Sequence, residues 1–277
     1  MNEALNLLGT GEEAKILAGG QSLITLMKLR LASPKILIDI NGLPELAQVR
    51  EEKGEIVVGA LTRHDQLANN TIIRKKIPVL AEAASVIADQ QVRNRGTIGG
   101  SLAHADPTAD LPTASTALAA TIVAASTKGT RSIKSADFFQ DYFTTSLRQD
   151  EIVKEVRVPI PPPESGGAYL KLSKGQNDFA VVAVAVQMTL GERNVCRAAN
   201  VVLGGVAPTP VHAKETERFL VGRSLGDGAI NDGAQKVGEG LNPPSDIRGS
   251  AEYRLEMART LTKQAIKLSV GRAQGGA

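Results

Sequence analysis

The sequence predicts an α+β fold in two domains, and three observations carry that reading. The densest cluster of chain breakers, Pro159, Pro161, Pro162, Pro163, Gly166 and Gly167, divides the chain near residue 164. Beyond it, three strand-like runs precede three helical stretches, an order that lays helices on a sheet rather than alternating them with strands. Composition supports folding throughout: 42% of the 277 residues are hydrophobic, 22% are charged, and no long polar tract interrupts them.

Before the breakers, a short strand at 16–17 enters a glycine turn, a helix over 22–31 and a strand over 36–40. Leu23, Ile24, Leu26, Met27 and Leu31 keep helical spacing, Ser22 stands at the N-cap, and Pro34 lies past the end. Alternation over 55–60 and just before it predicts a hairpin, while Leu80, Ala81, Ala84 and Ile87 share one side of a helix over 77–87. Thr108 caps the next expected helix, which tolerates Pro112 in its first turn. Residues 121–125, 131–133 and 152–160 read as further strands.

After the breakers, strands are expected at 169–173, 180–190 and 195–206, the first two joined by the polar loop 175–178. Helices follow at 211–221, around 229–239, and at 251–270, the last ending before Gly271. No fixed-period repeat is visible.

Several function classes fall away on composition. The apolar run 180–186 is far short of the ~20 residues a membrane helix needs, and residues 1–15 lack a basic segment before an apolar one. The expected compartment is therefore the cytoplasm. Cys196, the single cysteine, cannot form an internal disulfide or hold an iron–sulfur cluster, and its apolar strand setting makes it a small core residue. A net charge of +3 and only five Phe, three Tyr and no Trp argue against nucleic acid. His64, His104 and His212 lie far apart, with no helical metal-binding spacing among them.

Two glycine pairs remain as candidate chemistry: Ala18-Gly19-Gly20-Gln21-Ser22 and Gly96-Thr97-Ile98-Gly99-Gly100-Ser101. Glycine permits positive φ and close backbone approach, and the amides opening the helix after Gly20 favour an anion such as a pyrophosphate. A plain tight turn is the alternative for either pair taken alone. Neither pair fits the Rossmann or P-loop pattern, and Ile24 replaces the second glycine of a hydrolase nucleophile elbow, leaving Ser22 as cap or phosphate donor. Asp110 would repel phosphates, so a ribose hydroxyl, a ring N–H or simply the helix dipole is its partner. Arg93 and Arg95 precede the second pair and either lend positive field or form a solvated loop. Valine at Gly20 or Gly99 is expected to block cofactor approach and leave the fold largely intact.

Taken together, Leu17-Ala18-Gly19-Gly20-Gln21-Ser22-Leu23-Ile24 and Asn94-Arg95-Gly96-Thr97-Ile98-Gly99-Gly100-Ser101-Leu102-Ala103 resemble the paired FAD-binding motifs of the molybdenum hydroxylase flavoproteins. Met27-Lys28-Leu29-Arg30-Leu31-Ala32, Leu37-Ile38-Asp39-Ile40, Gly59-Ala60-Leu61-Thr62-Arg63 and Ala103-His104-Ala105-Asp106-Pro107 resemble the medium subunit of the carbon monoxide dehydrogenase type, within the xanthine dehydrogenase family. Ala251-Glu252-Tyr253-Arg254 is similar to its C-terminal domain. The resemblance implies a two-part FAD-binding domain of the vanillyl-alcohol oxidase (PCMH) type over residues 1–164, with subdomains near 1–45 and 46–164. A small α+β C-terminal domain with a three-stranded antiparallel sheet and helices would occupy 165–277.

It further implies an oxidoreductase subunit that passes electrons from the two [2Fe-2S] clusters of a small subunit, through FAD, to an external acceptor. A large molybdopterin subunit hydroxylates the substrate, in a dimer of heterotrimers. The FAD contacts carried over are Leu17, Ala18, Gly19, Gly20, Gln21, Ser22 and Leu23, then Thr97, Ile98, Gly99, Gly100 and Ser101, then Asp110, Ile152, Val153 and Lys171. Departures are Ser101 where many relatives have Asn, Phe179 where they often have a Tyr beside the isoalloxazine, and a start at Met1 that omits a leading strand. The last implies a first subdomain trimmed or completed by a neighbour. A stand-alone FAD-linked oxidase of the same fold is the alternative; it requires a base facing the flavin, and none is evident in the sequence.

Overall fold

The computed structural model describes residues 1–10 and 13–275. Helix α1 (Asn2–Leu8) packs on a parallel pair, β1 (Ala14–Leu17) and β2 (Ile36–Asp39), which α2 (Leu23–Lys28) connects. Parallel neighbours need such a crossover, so β1, α2 and β2 form a small βαβ unit. The helix is shorter than its apolar spacing predicts because Arg30 turns left-handed at φ 59°, and it buries no side chain. Ala4, Leu5, Ile38 and Ile40 form a small core with Leu46, Leu61 and Ile152 from the next unit.

That unit is a five-stranded antiparallel sheet. It opens with the hairpin β3 (Val49–Glu52) and β4 (Glu55–Gly59), followed by helices α3 (His64–Asn69), α4 (Thr71–Lys76), α5 (Pro78–Ser85) and α6 (Gln90–Arg93). Next come α7 (Ile98–His104), α8 (Asp110–Ala117), and the hairpin β5 (Thr121–Ser126) and β6 (Gly129–Lys134). After α9 (Ser135–Phe138) and the small ladder β7 (Phe139–Asp141) and β8 (Thr144–Thr145), β9 (Ile152–Pro159) inserts between β4 and β5. The last strand of the unit thus closes its two hairpins into one sheet, with the strand order β3-β4-β9-β5-β6. Helix α8 starts at Asp110, not behind a Thr108 cap: the Thr108 hydroxyl instead bonds Asp106 Oδ1 at 2.6 Å, forming a local turn.

The remaining strands β10 (Ser165–Ser173), β11 (Ala180–Leu190), β12 (Cys196–Gly204) and β13 (Val211–His212) form an antiparallel sheet of four strands, not the three expected. The extra strand is two residues pairing with Val202 and Leu203, too short to show alternation. The helix expected from residue 211 therefore begins only at α10 (Lys214–Leu220), followed by α11 (Asp227–Gln235) and α12 (Ala251–Ala273). Helix α12 runs through Gly271, whose Cβ position faces open space and imposes no stop.

The continuous apolar character of β11 has a direct cause. Ala180, Ala183 and Ala185 join the core beneath α5 and α8, while Val182, Val184 and Val186 join the core beneath α12. A strand covered on both faces loses its polar alternation. Small side chains face the first unit and branched ones face the long helix. Cys196 is buried in the second core, and burial pushes its thiol up to about 11, so it serves as a small apolar residue.

Candidate functional site

The first glycine turn leaves β1 at Leu17, passes Ala18 and Gly19, and reverses at Gly20, whose φ of +76° suits glycine. The backbone N–H groups of Gly19, Gly20, Gln21 and Ser22 donate to no described residue. Four consecutive unpartnered amides just ahead of a helix are donors available to an anion. Ser22 occupies the cap position of α2 but makes no capping bond with its side chain, leaving its hydroxyl available too.

The second turn is held quite differently. The Thr97 hydroxyl caps α7 by accepting from Gly100 N at 3.1 Å. Ile98 N donates to Thr62 O at 3.1 Å, Gly99 N to Ala60 O at 2.9 Å, and His64 N to Gly96 O at 3.0 Å, strapping the turn onto residues 60–64. Ile98 and Gly99 are buried there, whereas Gly100 is exposed and Ser101 half-buried.

The two turns touch. A Cβ on Gly19 would lie 2.8 Å from Gly96 Cα and overlap the Arg95 carbonyl oxygen. Gly99 packs against Ala60, where a Cβ would sit 2.5 Å from that residue's Cβ and 2.9 Å from its carbonyl oxygen. These distances correct the expectation for valine at Gly99: it would disrupt the packing of α7 on β4's end, not merely block a ligand. Gly20 differs again, since a Cβ there is strained by φ and by Ile24 Cδ1 at 2.7 Å.

Asp110 and Lys171 meet across the two units. Lys171 Nζ donates to Asp110 Oδ2 and to Val86 O, both at 3.1 Å, and the Tyr169 hydroxyl donates to Asp110 Oδ1 at 2.7 Å. Burial raises the Asp110 carboxyl above its ordinary range, with Lys171 and the Tyr169 hydroxyl acting the other way. Because α7 packs on α8, whose first residue is Asp110, this cluster adjoins the helix carrying the second glycine pair. Ile152 and Val153 are both core residues: Ile152 packs with Ile40 and Leu61, Val153 in the central core. Phe179 is 50% exposed and lines a cleft of about 320 Å³ with Pro107, Tyr142, Phe143 and Arg248.

Three residues near the glycine turns carried no signal of their own in the sequence. Arg63 and Asn41 bridge the two turns, and His64 packs its imidazole against Gly96. Only the resembling segment Gly59–Arg63 pointed to the region. Burial, with Arg63 and Arg93 nearby, lowers His64 to about 4, and its Nδ1 has no described partner. The unfolded chain then binds this proton more readily than the folded one. Stability from His64 is fully present above pH about 6.5 and is lost as pH falls toward 4, by about 3 kcal/mol. Denaturation curves across that range are expected to show the loss, and His64→Gln is expected to flatten it; equal pH slopes in both proteins would contradict the assignment.

Two glycine turns in contact, the first with a run of unpartnered amides, followed by a second α+β unit, fit a protein that binds a phosphate-bearing cofactor. Residues 1–161 match the FAD-binding domain of molybdopterin dehydrogenases, and residues 167–268 match the carbon monoxide dehydrogenase flavoprotein C-terminal domain. The chain is 40% identical to the glyceraldehyde dehydrogenase medium chain of Sulfolobus acidocaldarius, covering 96% of this chain and 94% of that one. It is 39% identical to the carbon monoxide dehydrogenase medium chain of Hydrogenophaga pseudoflava, covering 98% and 95%. Among solved structures, carbon monoxide dehydrogenase from Hydrogenophaga pseudoflava superposes with a TM-score of 0.94 at 40% identity, over 98% of this chain and 94% of that one. Quinoline 2-oxidoreductase from Pseudomonas putida 86 gives 0.93 at 34% identity, over 99% and 94%. The chain belongs to the FAD-binding medium subunits of the molybdenum hydroxylase family, and it is an oxidoreductase component.

Proposed function

We propose that this chain is the electron outlet of a heterotrimeric molybdenum hydroxylase, paired as a dimer of heterotrimers in the cytoplasm. The observation that carries the FAD site is the run of free amides at Gly19, Gly20, Gln21 and Ser22, set against the second glycine turn. A pyrophosphate would satisfy those amides, and the missing Cβ of Gly19 lets the second turn close against the first beside them. No helix among the described residues is long and apolar enough to cross a membrane.

Residues 17–23 would hold the pyrophosphate largely through the backbone N–H groups of Gly19 to Ser22 and the Ser22 hydroxyl. Residues 97–101, whose amides from Ile98 to Ser101 are already bonded within the protein, would adjoin it through the Thr97 N–H, the exposed Gly100 and the Ser101 hydroxyl. Asp110 fixes Lys171, which uses two of its three N–H donors on Val86 O and Asp110, and the third would be available to an acceptor on the flavin ring. Ile152 and Val153, with buried side chains, would contribute by their backbone. Bound FAD would supply the redox chemistry, accepting electrons from the two [2Fe-2S] clusters of the small subunit and releasing them to an external acceptor. The large molybdopterin subunit would select and hydroxylate the substrate, which accounts for close likeness to medium chains named for substrates as different as glyceraldehyde and carbon monoxide. The division into domains falls near residue 164, supported by the start of the second sheet at Ser165.

The natively purified complex tests this reading. We expect one FAD per copy of this chain, two partner chains, molybdenum and four irons per set, and flavin bleaching by substrate that requires the iron–sulfur subunit. Full activity from this chain alone with FAD, or an intact complex without flavin, would overturn it.

A further inference from the structure

We propose that Arg63 and Asn41 form a clamp that fixes the spacing of the two glycine turns, making Arg63 a positioning residue for the cofactor's pyrophosphate; the proposal rests on the FAD reading above. Asn41 follows β2 and is oriented by Asp39, whose Oδ1 accepts from Asn41 N at 2.9 Å and from its Nδ2 at 2.6 Å. The second Nδ2 hydrogen goes to Ala18 O at 2.8 Å, directly in the first glycine turn. Asn41 Oδ1 accepts from Arg63 Nη2 at 2.6 Å, so every hydrogen-bonding atom of this side chain is used and its amide cannot flip without loss. The other arm of the guanidinium, Nη1, donates to the carbonyl oxygen of Arg95, which sits beneath Gly19.

The circuit therefore closes: Ala18 carbonyl, Asn41, Arg63, Arg95 carbonyl, and back to Gly19 in contact with Gly96. Arg63 itself is anchored, its N–H donating to Gln66 Oε1 at 2.9 Å and its strand bridge pairing with Thr97. Helix α2 buries no side chain, so the first turn has little apolar packing to hold it against the second. A planar guanidinium reaching two acceptors suits this task, and a lysine, with one point of charge on a flexible stem, does not reproduce it.

The test uses the full-length chain with Arg63→Met, Arg63→Lys, Asn41→Ala and the Arg63→Met/Asn41→Ala double variant. FAD affinity is read by flavin fluorescence, and ADP serves as a diphosphate probe without the flavin ring. We expect Kd to rise about ten- to hundredfold for both ligands by the same factor in Arg63→Met, the loss of a charge-assisted bond, with little rescue by lysine. The double variant is expected to be no weaker than the worse single one, because both break one circuit. In ligand-free protein, hydrogen exchange is expected to rise at residues 17–24 and 94–99 while the β11 amides keep their protection. Unchanged ADP affinity, full rescue by lysine, additive losses, or exchange raised evenly over the chain would each overturn the clamp. Should the unaltered chain bind no FAD, the FAD reading fails, and local exchange still decides whether the clamp exists.

Discussion

Alanine in place of Gly19 is expected to cost the chain its flavin, with the FAD dissociation constant rising about a hundredfold and the purified protein losing its yellow colour. A single methyl group suffices because its neighbours are backbone atoms. The new Cβ would stand 2.8 Å from Gly96 Cα and overlap the Arg95 carbonyl oxygen, which cannot swing aside as a side-chain end could. Arg63 holds that same oxygen, so the turns must separate as bodies, at the ~1–3 kcal/mol typical of overpacking. The separation would move the amides of Gly19 to Ser22 away from the second turn and so from the diphosphate position proposed between them. Gly42→Ala is the matched control, since its Cβ position has nothing within 4 Å. The measurement is flavin-to-protein ratio and Kd in both variants, with thermal denaturation to follow the fold. Retention of FAD by Gly19→Ala at unchanged affinity would remove the turn-to-turn contact from the site.

What the sequence disclosed follows from the range of the interactions involved. The first glycine turn, the helix after it and the hairpin over 49–59 rest on residues within a few positions of one another, and their patterns were readable. β11 also declared itself, because burial on both faces leaves an unbroken apolar run. β13 did not, since two residues gain strand geometry only from Val202 and Leu203. The roles of the glycines were legible only in part. Gly20 is where its positive φ is needed, but Gly19 and Gly99 are required by Arg95, Gly96 and Ala60, partners that no local pattern names. Arg63 and Asn41 escaped for the same reason: their work is a circuit spanning residues 18 to 95, and each alone looks like an ordinary surface polar residue.

Lys171→Met is expected to be the most damaging change at the junction of the two units, reducing stability by about 3–5 kcal/mol at neutral pH. The side chains of Lys171 and Asp110 are each only 6% exposed, so removing the ammonium leaves a buried carboxyl with the Tyr169 hydroxyl as its remaining side-chain partner. Methionine keeps the length of the stem and isolates the charge. With Lys171 gone, burial raises the Asp110 carboxyl further above its unfolded value, so the folded state takes up a proton that the unfolded state does not. The deficit relative to the parent protein should thus be largest at neutral and higher pH and should shrink as pH falls through that raised value. Asp110→Asn combined with Lys171→Met should recover much of the loss, because a neutral amide still accepts from Tyr169 and leaves no stranded charge. Denaturation of the single and double variants across pH checks the sign and the rescue together, and a deficit that grows on acidification would refute the pairing. The flavin provides an independent readout. Lys171 ties β10 to Val86 and to the start of α8, so its loss should shift the visible spectrum of bound FAD even under conditions where the chain remains folded.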